Sequence, residues 1–254
     1  MLLTTEANAV TVRWNTCADS SGNGTCDPGS LQPSATSSSG TGVNQVFSFQ
    51  AIGDPSRVLT TEAFSTTNSI APYGVAIKLQ IGIFEGGLGA GTEAPPQHAV
   101  DNIGPDEFIV FNLGQDGYIP KSFRIGYLSG DSDITTYIGG TGGPNDILSK
   151  ILAGTFNWDT FIANPGAQGF TSQTFLDVPV GVDQLFTNGA SGHYLIIGAR
   201  NETDMCAGVP CEGGDDAFKI QQVVADTPNV PEASTLLFLM TGLAGLTPFA
   251  RRRR

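Results

Sequence analysis

The sequence VAIKLQIGIFEG, residues 75–86, shows the alternation that decides the fold class. Val75, Ile77, Leu79 and Ile81 alternate with smaller or polar residues along the stretch. Successive side chains of a β-strand point to opposite faces of a sheet, so this pattern is typical of a strand that is buried on one side. The stretch therefore predicts one continuous, half-buried β-strand.

Seven further β-rich runs lie between turn residues along the chain. They are QVFSFQAI (45–52), VLTTEAFST (58–66), EFIVFNLG (107–114), SFRIGYLSG (122–130), TFLDVPV (174–180), HYLIIGAR (193–200) and AFKIQQVVA (217–225). With 33 glycines, 15 prolines and only 14% charged residues, the composition favours turns and strands over long helices. Eight such runs without an internal repeat predict an all-β fold, specifically a jelly-roll-like β-sandwich.

One short helix is predicted in GPNDILSKILAGT, residues 143–155. The apolar residues of this stretch are spaced so that they share one helical face. Asn145 is the expected N-cap, and Gly154 is the expected stop. We expect this helix to cover one end of the sandwich.

The charge of the chain excludes one class of partner. The formal net charge is −12 at neutral pH. Phosphate binding needs a basic surface, so nucleic acid is not an expected partner. An acidic surface instead suits solubility or the binding of cations.

Four cysteines form two close pairs in the sequence. Cys17 and Cys26 belong to CADSSGNGTC, and Cys206 and Cys211 belong to CAGVPC. Neither pair has zinc-site spacing, and no histidine lies near either one, so two local disulfides are predicted. Pairing between the two motifs stays open as an alternative. Disulfides indicate an oxidising, extracytoplasmic compartment.

The C-terminus combines an apolar run with a cluster of arginines. Residues 233–250 contain no charge over 18 positions, which as a helix would span about 27 Å, close to the thickness of the hydrocarbon core. The cluster that follows consists of Arg251, Arg252, Arg253 and Arg254. A transmembrane helix with a cytoplasmic C-terminus is predicted by the positive-inside rule, and the alternative is a buried terminal helix of the domain.

The same region carries a resemblance to a known family. Val230, Pro231 and Glu232 precede the apolar run, and Ala233 stands where the usual motif has proline. This order of motif, helix and arginine cluster resembles the sorting signal of PEP-CTERM proteins. The resemblance implies an exosortase as transient partner, temporary anchoring in the inner membrane, and transfer to the cell surface or extracellular matrix. Residues 228–254 would form the sorting signal.

The N-terminus lacks the basic and apolar regions of a complete signal peptide, but it contains Ala7-Asn8-Ala9, which fits a cleavage site. We therefore interpret residues 1–9 as the remnant of a signal peptide. The extracytoplasmic β-sandwich domain is predicted to cover residues 10–227.

Acidic and amide residues crowd three turns and form the predicted cation site. The residues are Asp101, Asn102, Asp106, Asp131, Asp133, Asp215 and Asp216. Calcium prefers about six to eight oxygen ligands in flexible geometry, and Asp and Asn oxygens that converge from neighbouring loops can supply them. Calcium is thus the one cofactor that the sequence suggests. Alternatively, the residues at 101–106 form Asx-turns and cap backbone groups at strand ends.

A further resemblance involves the internal motifs. HAVDN (98–102) with Asp106, and DSDI (131–134) after a strand, are similar to the exosortase-dependent surface proteins. This resemblance implies location and architecture, but no reaction.

The leading functional prediction is a non-enzymatic surface or matrix protein with a structural or adhesive role. One alternative is a calcium-dependent carbohydrate-binding module, whose partner would be an extracellular polysaccharide. The other is a polysaccharide-active hydrolase, which needs two carboxylates about 5–10 Å apart. Glu85, Glu107 and Asp131 are candidates for such a pair.

Overall fold

Two antiparallel β-sheets packed face to face form most of the described structure, and a separate two-stranded sheet accompanies them. The computed structural model describes residues 9–16, 46–69, 71–84, 86–91, 98–200, 205–206, 209–210 and 216–228. All the strand ladders within these ranges are antiparallel. The prediction of an all-β sandwich is confirmed.

The elements follow one another in a mostly strand-only order. The strands are β1 (Thr11–Asn15), β2 (Phe47–Ala51), β3 (Asp54–Thr66), β4 (Ala76–Lys78), β5 (Ile81–Phe84), β6 (Gly87–Ala90), β7 (Val100–Asp101), β8 (Glu107–Asn112), β9 (Ile119–Gly130), β10 (Ile134–Gly139), β11 (Phe170–Phe175), β12 (Gln184–Leu185), β13 (Tyr194–Ala199), β14 (Met205–Cys206), β15 (Val209–Pro210) and β16 (Asp216–Asp226). Between β10 and β11 lie the helices α1 (Ile147–Leu152) and α2 (Trp158–Ala163) and a 3₁₀ helix, Pro165–Gln168.

The strand order is that of a jelly roll. The first sheet has the order β12-β9-β16-β6-β5, with β1 and β7 also paired to β16, and the second has the order β11-β10-β13-β8-β3-β2, with β4 on β3. Eight of these strands form the jelly roll: β6, β8, β9, β10, β11, β12, β13 and β16. When they are renumbered 1 to 8 in this order, the neighbouring strands are 1-8-3-6 in the first sheet and 2-7-4-5 in the second. Neighbouring strands in the chain therefore mostly belong to opposite sheets, as in a jelly roll built from Greek keys.

The molecule has two hydrophobic cores. The main core lies between the sheets and includes Trp14, Phe49, Phe123 and Phe218. The second core lies on the outer face of the second sheet, where the two helices cover it. There, Trp158 of α2 stacks on Phe108 of β8 with 4.1 Å between ring centroids. The second sheet is therefore buried on both faces where the helices cover it.

The prediction of one strand over residues 75–86 is wrong. The stretch forms two strands, because β4 pairs with β3 in the second sheet whereas β5 pairs with β6 in the first. The chain crosses between the sheets at Leu79 and Gln80, so one alternation cannot hold throughout. Ile81 is buried in the main core as expected, but Ile77 is 44% exposed.

The helical region also differs from the prediction. The N-cap of α1 is Asp146 rather than Asn145, since the Asp146 carboxylate accepts a hydrogen bond from Ser149 N at 2.7 Å. Gly154 ends the helix in the left-handed region, with φ 65°, as predicted. The second helix, α2, was not predicted, because six residues are too few to show an amphipathic period.

One predicted strand is displaced, and seven strands were not predicted: β1, β6, β7, β10, β12, β14 and β15. The strand predicted at 174–180 lies at 170–175 instead, as β11. No strand was predicted at β10, whose six residues are all buried, so its two faces do not differ in polarity. β6 has the sequence GLGA, which lacks the β-branched residues that usually mark a strand.

Several predictions concern residues outside the described ranges. They include the signal remnant up to residue 8, Cys17, Cys26, Cys211, the side chain of Cys206, and the sorting signal from residue 229 onward. Both disulfides and the membrane span at 233–250 therefore stay predictions. Within the described residues, no helix is long and apolar enough to cross a bilayer.

The first strand should contribute strongly to stability. Trp14 is fully buried, and its Nε1 donates to Arg57 O at 3.2 Å. Trp14→Ala is expected to lower the free energy of unfolding by about 3–5 kcal/mol, because it leaves a cavity. Leu185→Ala, at a site 64% exposed, is the control and should change it by about 0.5 kcal/mol or less. Urea denaturation measures both, and equal effects would contradict the packing of β1.

Candidate cation site

Three carboxylates meet at one end of the sandwich. Asp131 and Asp133 lie in the turn between β9 and β10, and Asp216 is the first residue of β16. The pairing of β9 with β16 sets Asp216 opposite Gly130, and Asp131 forms a further bridge with Asp216. One carboxylate oxygen from each of the three aspartates lies within 4.8 Å of the other two. We call these three residues the carboxylate cluster.

Asp216 is the most enclosed member of the carboxylate cluster, with 4% of its surface exposed. Its Oδ1 accepts a hydrogen bond from Asp133 N at 2.7 Å, and its Oδ2 accepts one from Asn102 Nδ2 at 2.9 Å. Asp216 N in turn donates to Asn102 Oδ1 at 2.9 Å. Both oxygens of the carboxylate are therefore fixed in position by neighbouring loops.

Arg200 supplies a positive charge beside the carboxylate cluster. Its Nη1 lies 3.1 Å from Asp133 Oδ2, and both side chains are largely buried. Arg200 N also donates to Asp133 O, and Arg200 O accepts from Asn102 Nδ2, both at 2.9 Å. Among the described residues, one arginine faces the three carboxylates, so this part of the cluster carries an excess of negative charge.

This environment raises the pKa of Asp216 to about 7. Burial is the largest cause, because it disfavours the charged carboxylate, and the negative charges of Asp133 and Asp131 act in the same direction. The hydrogen bond from Asp133 N and the charge of Arg200 oppose the increase. Near neutral pH, the Asp216 carboxylate can therefore either hold a proton or bind a cation.

The carboxylate cluster has the chemistry of a site for a hard divalent cation. Carboxylate oxygens are preferred ligands of calcium, and Asp131, Asp133 and Asp216 would each offer one. The Asn102 carbonyl already accepts from Asp216 N, so in this arrangement it acts as a support rather than as a ligand. Water or further backbone oxygens would complete the coordination.

The other predicted cation ligands lie in different surroundings. Asp101 Oδ1 accepts from Ile103 N at 3.0 Å, which is the Asx-turn geometry of the alternative interpretation. The backbone of Asp106 pairs with Thr66, and its side chain lines a groove on the outer face of the second sheet. Asp215 lies outside the described residues.

That groove is a concave feature separate from the carboxylate cluster, with a volume of about 430 Å³. The described residues that line it are Ala71, Tyr73, Asp106, Glu107, Thr135, Tyr137, Trp158, Asp159, Ile162, Ala163, Ser172, Thr174, Gly198 and Ala199. We call it the outer groove. Of the carboxylates named for a hydrolase, Glu107 lies in the outer groove, Asp131 belongs to the carboxylate cluster, and Glu85 lies outside the described residues.

Two features of this region are not predicted by the sequence. Arg200 is the last residue of the run HYLIIGAR. A basic residue directly after a buried strand is the sequence feature that could have predicted a positive partner for the carboxylates. The outer groove was missed because its walls come from β8, β10, β11, β13 and α2, which are far apart in the sequence.

A comparison with protein families identifies the C-terminal region. Residues 229–254 match the family model of the PEP-CTERM protein-sorting motif. The match supports an exosortase-sorted, extracellular protein, as the sequence resemblance predicted. The motif covers the tail alone, so it describes where the protein goes and leaves the role of the sandwich open. No curated protein and no solved structure matches the chain.

The raised pKa of Asp216 predicts an unusual pH dependence of stability. The folded protein keeps a proton that the unfolded chain, with an ordinary pKa of 3.8, has released. The contribution of this group is therefore complete below about pH 4 and is lost as the pH rises to about 7. Its slope is up to about 1.4 kcal/mol per pH unit. Urea denaturation in EDTA between about pH 5 and 7 measures this loss.

The variant Asp131→Asn tests whether the charge of Asp131 contributes to the raised pKa of Asp216. It removes one negative charge near Asp216 while retaining the oxygen that accepts from Ser132 N, so the slope should become shallower. Asp183→Asn removes an equal charge from the ion pair with Arg124 and should leave the slope unchanged. An identical slope in wild type and Asp131→Asn would contradict the coupling.

Proposed function

We propose that the chain is an exosortase-sorted protein of the bacterial cell surface or extracellular matrix, with a non-enzymatic, structural or adhesive role. The extracellular location rests on the PEP-CTERM motif at residues 229–254. The role rests on the sandwich, in which the polar groups of the carboxylate cluster are engaged in joining loops. A scaffold of this kind suits a surface exposed to variable conditions.

One observation carries the structural role. Through Asn102, Asp133, Arg200 and Asp216, hydrogen bonds connect the ends of β7, β10, β13 and β16. A general acid or base must present a titrating group to a substrate. Asp216, whose pKa is raised, instead holds loops together and is almost fully buried.

A second candidate function is a calcium-dependent carbohydrate-binding module. It is favoured by the carboxylate cluster, in which three oxygens are already within 4.8 Å of one another. Calcium would neutralise the excess negative charge and hold the turn between β9 and β10 against β16. In this proposal, the ordered turn then contributes to a surface that binds an extracellular polysaccharide.

The first experiment concerns the tail. We expect protein recovered from the medium or envelope of an exosortase-bearing host to have an intact mass that ends near Glu232, without the apolar run and the arginines. Replacing Pro231 and Glu232 by alanine should leave the full-length mass, because the sorting motif is lost. A wild-type mass that still includes Arg254 would contradict release by processing.

The second experiment concerns calcium. A ligand that binds only the folded state stabilises it, by about 2.7 kcal/mol at one hundred times its Kd. For a domain of this size, that corresponds to an increase of about 5–10 °C in Tm. The increase should be larger at pH 8 than at pH 5, since calcium competes with the proton on Asp216.

Asp131→Asn should abolish this calcium response, and Asp183→Asn should retain it. Scanning calorimetry of the full chain in calcium and in EDTA gives the comparison. Equal Tm values in calcium and EDTA at pH 8 would remove the calcium-dependent candidate, but they would not affect the proposal of an exosortase-sorted scaffold.

A further inference from the structure

Two cavities meet where the helices cover the second sheet. Each has a volume of about 290 Å³, close to the lower end of the range of about 300–1,000 Å³ for small-molecule sites. The first cavity lies between α1, the loop after β10 and the start of β11, and the second lies between α1 and α2. Both are lined by Lys150, Phe156 and Gln168, so the two cavities adjoin, and we call them together the cap groove. Two neighbouring cavities of equal size suit two successive units of a polymer.

The rim of the cap groove is polar. Asn145 borders the first cavity, Thr160 borders the second, and Gln168 borders both. All three side chains are exposed, and none of them forms a hydrogen bond within the described structure. Amide groups can donate and accept hydrogen bonds, as the hydroxyl groups of a sugar can. Phe156 is 5% exposed and forms part of the floor, so recognition is assigned to the polar groups and not to an aromatic ring.

Lys150 brings a positive charge to the place where the two cavities meet. Its side chain is exposed and forms no ion pair with another described residue. An ammonium group donates up to three hydrogen bonds and accepts none, so an anionic oxygen is its strongest partner. Most other described basic side chains are already engaged. Lys219 lies over the rings of Phe84 and Tyr127, and ion pairs hold Arg57, Lys78, Lys121, Arg124 and Arg200.

Asp146 makes the two cavities electrostatically different. It lines the first cavity, whereas the described residues that line the second include no aspartate or glutamate. Burial disfavours the charged form of Asp146, but hydrogen bonds from Tyr194, Ser149 and Gly143 outweigh burial and lower the pKa of this carboxyl group. An anionic group is therefore repelled by Asp146 in the first cavity and attracted by Lys150 in the second.

The backbone around the second cavity is fixed by local hydrogen bonds. Lys150 O accepts from Thr155 N at 3.0 Å and from Thr155 Oγ1 at 3.1 Å, where α1 ends. Asn157 Oδ1 accepts from Thr160 N at 2.8 Å, where α2 begins. A ligand would thus have to order only exposed side chains, which keeps the entropic cost of binding small.

We infer that the cap groove binds an acidic sugar polymer, with the carboxylate of a uronic acid unit on Lys150 in the second cavity and hydroxyl groups of the neighbouring unit on Asn145 and Gln168 in the first. The inference rests on the proposed extracellular, adhesive role, for which it names a surface and a ligand class. It does not depend on calcium, because none of the three aspartates of the carboxylate cluster lines either cavity.

The net charge of the chain, −12, acts against an acidic polymer at long range. Salt at about 0.15 M screens this repulsion beyond about 8 Å, whereas a direct contact with Lys150 is shorter than that. Binding should therefore be measured at this ionic strength.

The test uses calorimetric titration of the full chain in mild detergent and EDTA, with tetramers of galacturonic acid and of mannuronic acid as probes. The comparison probes are their methyl esters, which carry no charge, and tetraglutamate, which has carboxylates but no sugar hydroxyls. At least one uronic acid tetramer should bind about tenfold or more tightly than its own ester and than tetraglutamate. Equal binding of the ester would overturn the role of the carboxylate, and equal binding of tetraglutamate would overturn the sugar.

Variants locate the site. Lys150→Met should weaken binding of the uronic acid tetramer about tenfold or more, through loss of a charged hydrogen bond, whereas Lys150→Arg keeps the charge and should bind within about threefold of wild type. Gln168→Ala should weaken binding about two- to tenfold, through loss of a neutral hydrogen bond. Both side chains are exposed, so these variants are expected to fold.

Lys121→Met is the matched control for charge. The Lys121 side chain is 52% exposed and pairs with Asp226, and it lines neither cavity. This variant loses the same charge as Lys150→Met and should bind the tetramer as wild type does. Equal weakening in the two variants would indicate a general charge effect and overturn the cap groove as the site.

Calcium separates this inference from the proposed calcium-dependent module. Binding of the uronic acid tetramer should be the same in calcium and in EDTA, and the same in Asp131→Asn. Binding that needs calcium and is lost in Asp131→Asn would place the sugar at the carboxylate cluster and overturn the cap groove, while leaving the calcium-dependent candidate intact. Absence of binding under both conditions would overturn the inference, whereas the exosortase-sorted scaffold is tested separately by the mass of the processed chain.

Discussion

The pairing of β16 is the constraint on which the rest of the sandwich depends. On one side it pairs with β9 from Asp216 to Asp226, and on the other it pairs in turn with β7, β6 and β1. Four separate parts of the chain are thus aligned by one strand. Its apolar side chains, among them Phe218, Ile220 and Val223, fill the core between the sheets. The first sheet cannot be assembled until this late part of the chain is in place.

The same strand explains why charged groups are buried at one end of the molecule. Asp216 begins β16 at the point where the turn after β9 and the turn after β7 also arrive. Backbone groups there lie beyond the regular ladders and need partners, and the Asp216 carboxylate together with Asn102 supplies them. Arg200, which follows β13, brings a compensating charge from the second sheet. The network therefore joins the two sheets where their hydrogen-bond ladders end.

The sequence predicts the fold class well because alternation and turn residues report directly on local exposure. The prediction fails where the exposure of a residue depends on elements that are distant in the sequence. Residues 75–83 alternate in the sequence yet divide between the sheets. β10 shows no alternation because α2 covers its outer side. For the site, residue chemistry pointed to acidic turns, and Asp131, Asp133 and Asp216 do come together. No local pattern shows that Arg200 faces Asp133 or that β8 and α2 share a groove, since those contacts depend on the topology.

The antiparallel pairing of β1 with β16 has a mechanical consequence. β16 ends at Asp226, opposite Thr11 of β1, and the sorting motif begins at residue 229. A force applied through the tail therefore enters the sandwich at the end of β16, where Asp226 pairs with Thr11 of β1 and with Ile119 of β9. Asp216 lies about 30 Å along the strand from the loaded end, given a rise of about 3.3 Å per residue. While the tail is held, the carboxylate cluster thus stands at the far end of the loaded strand.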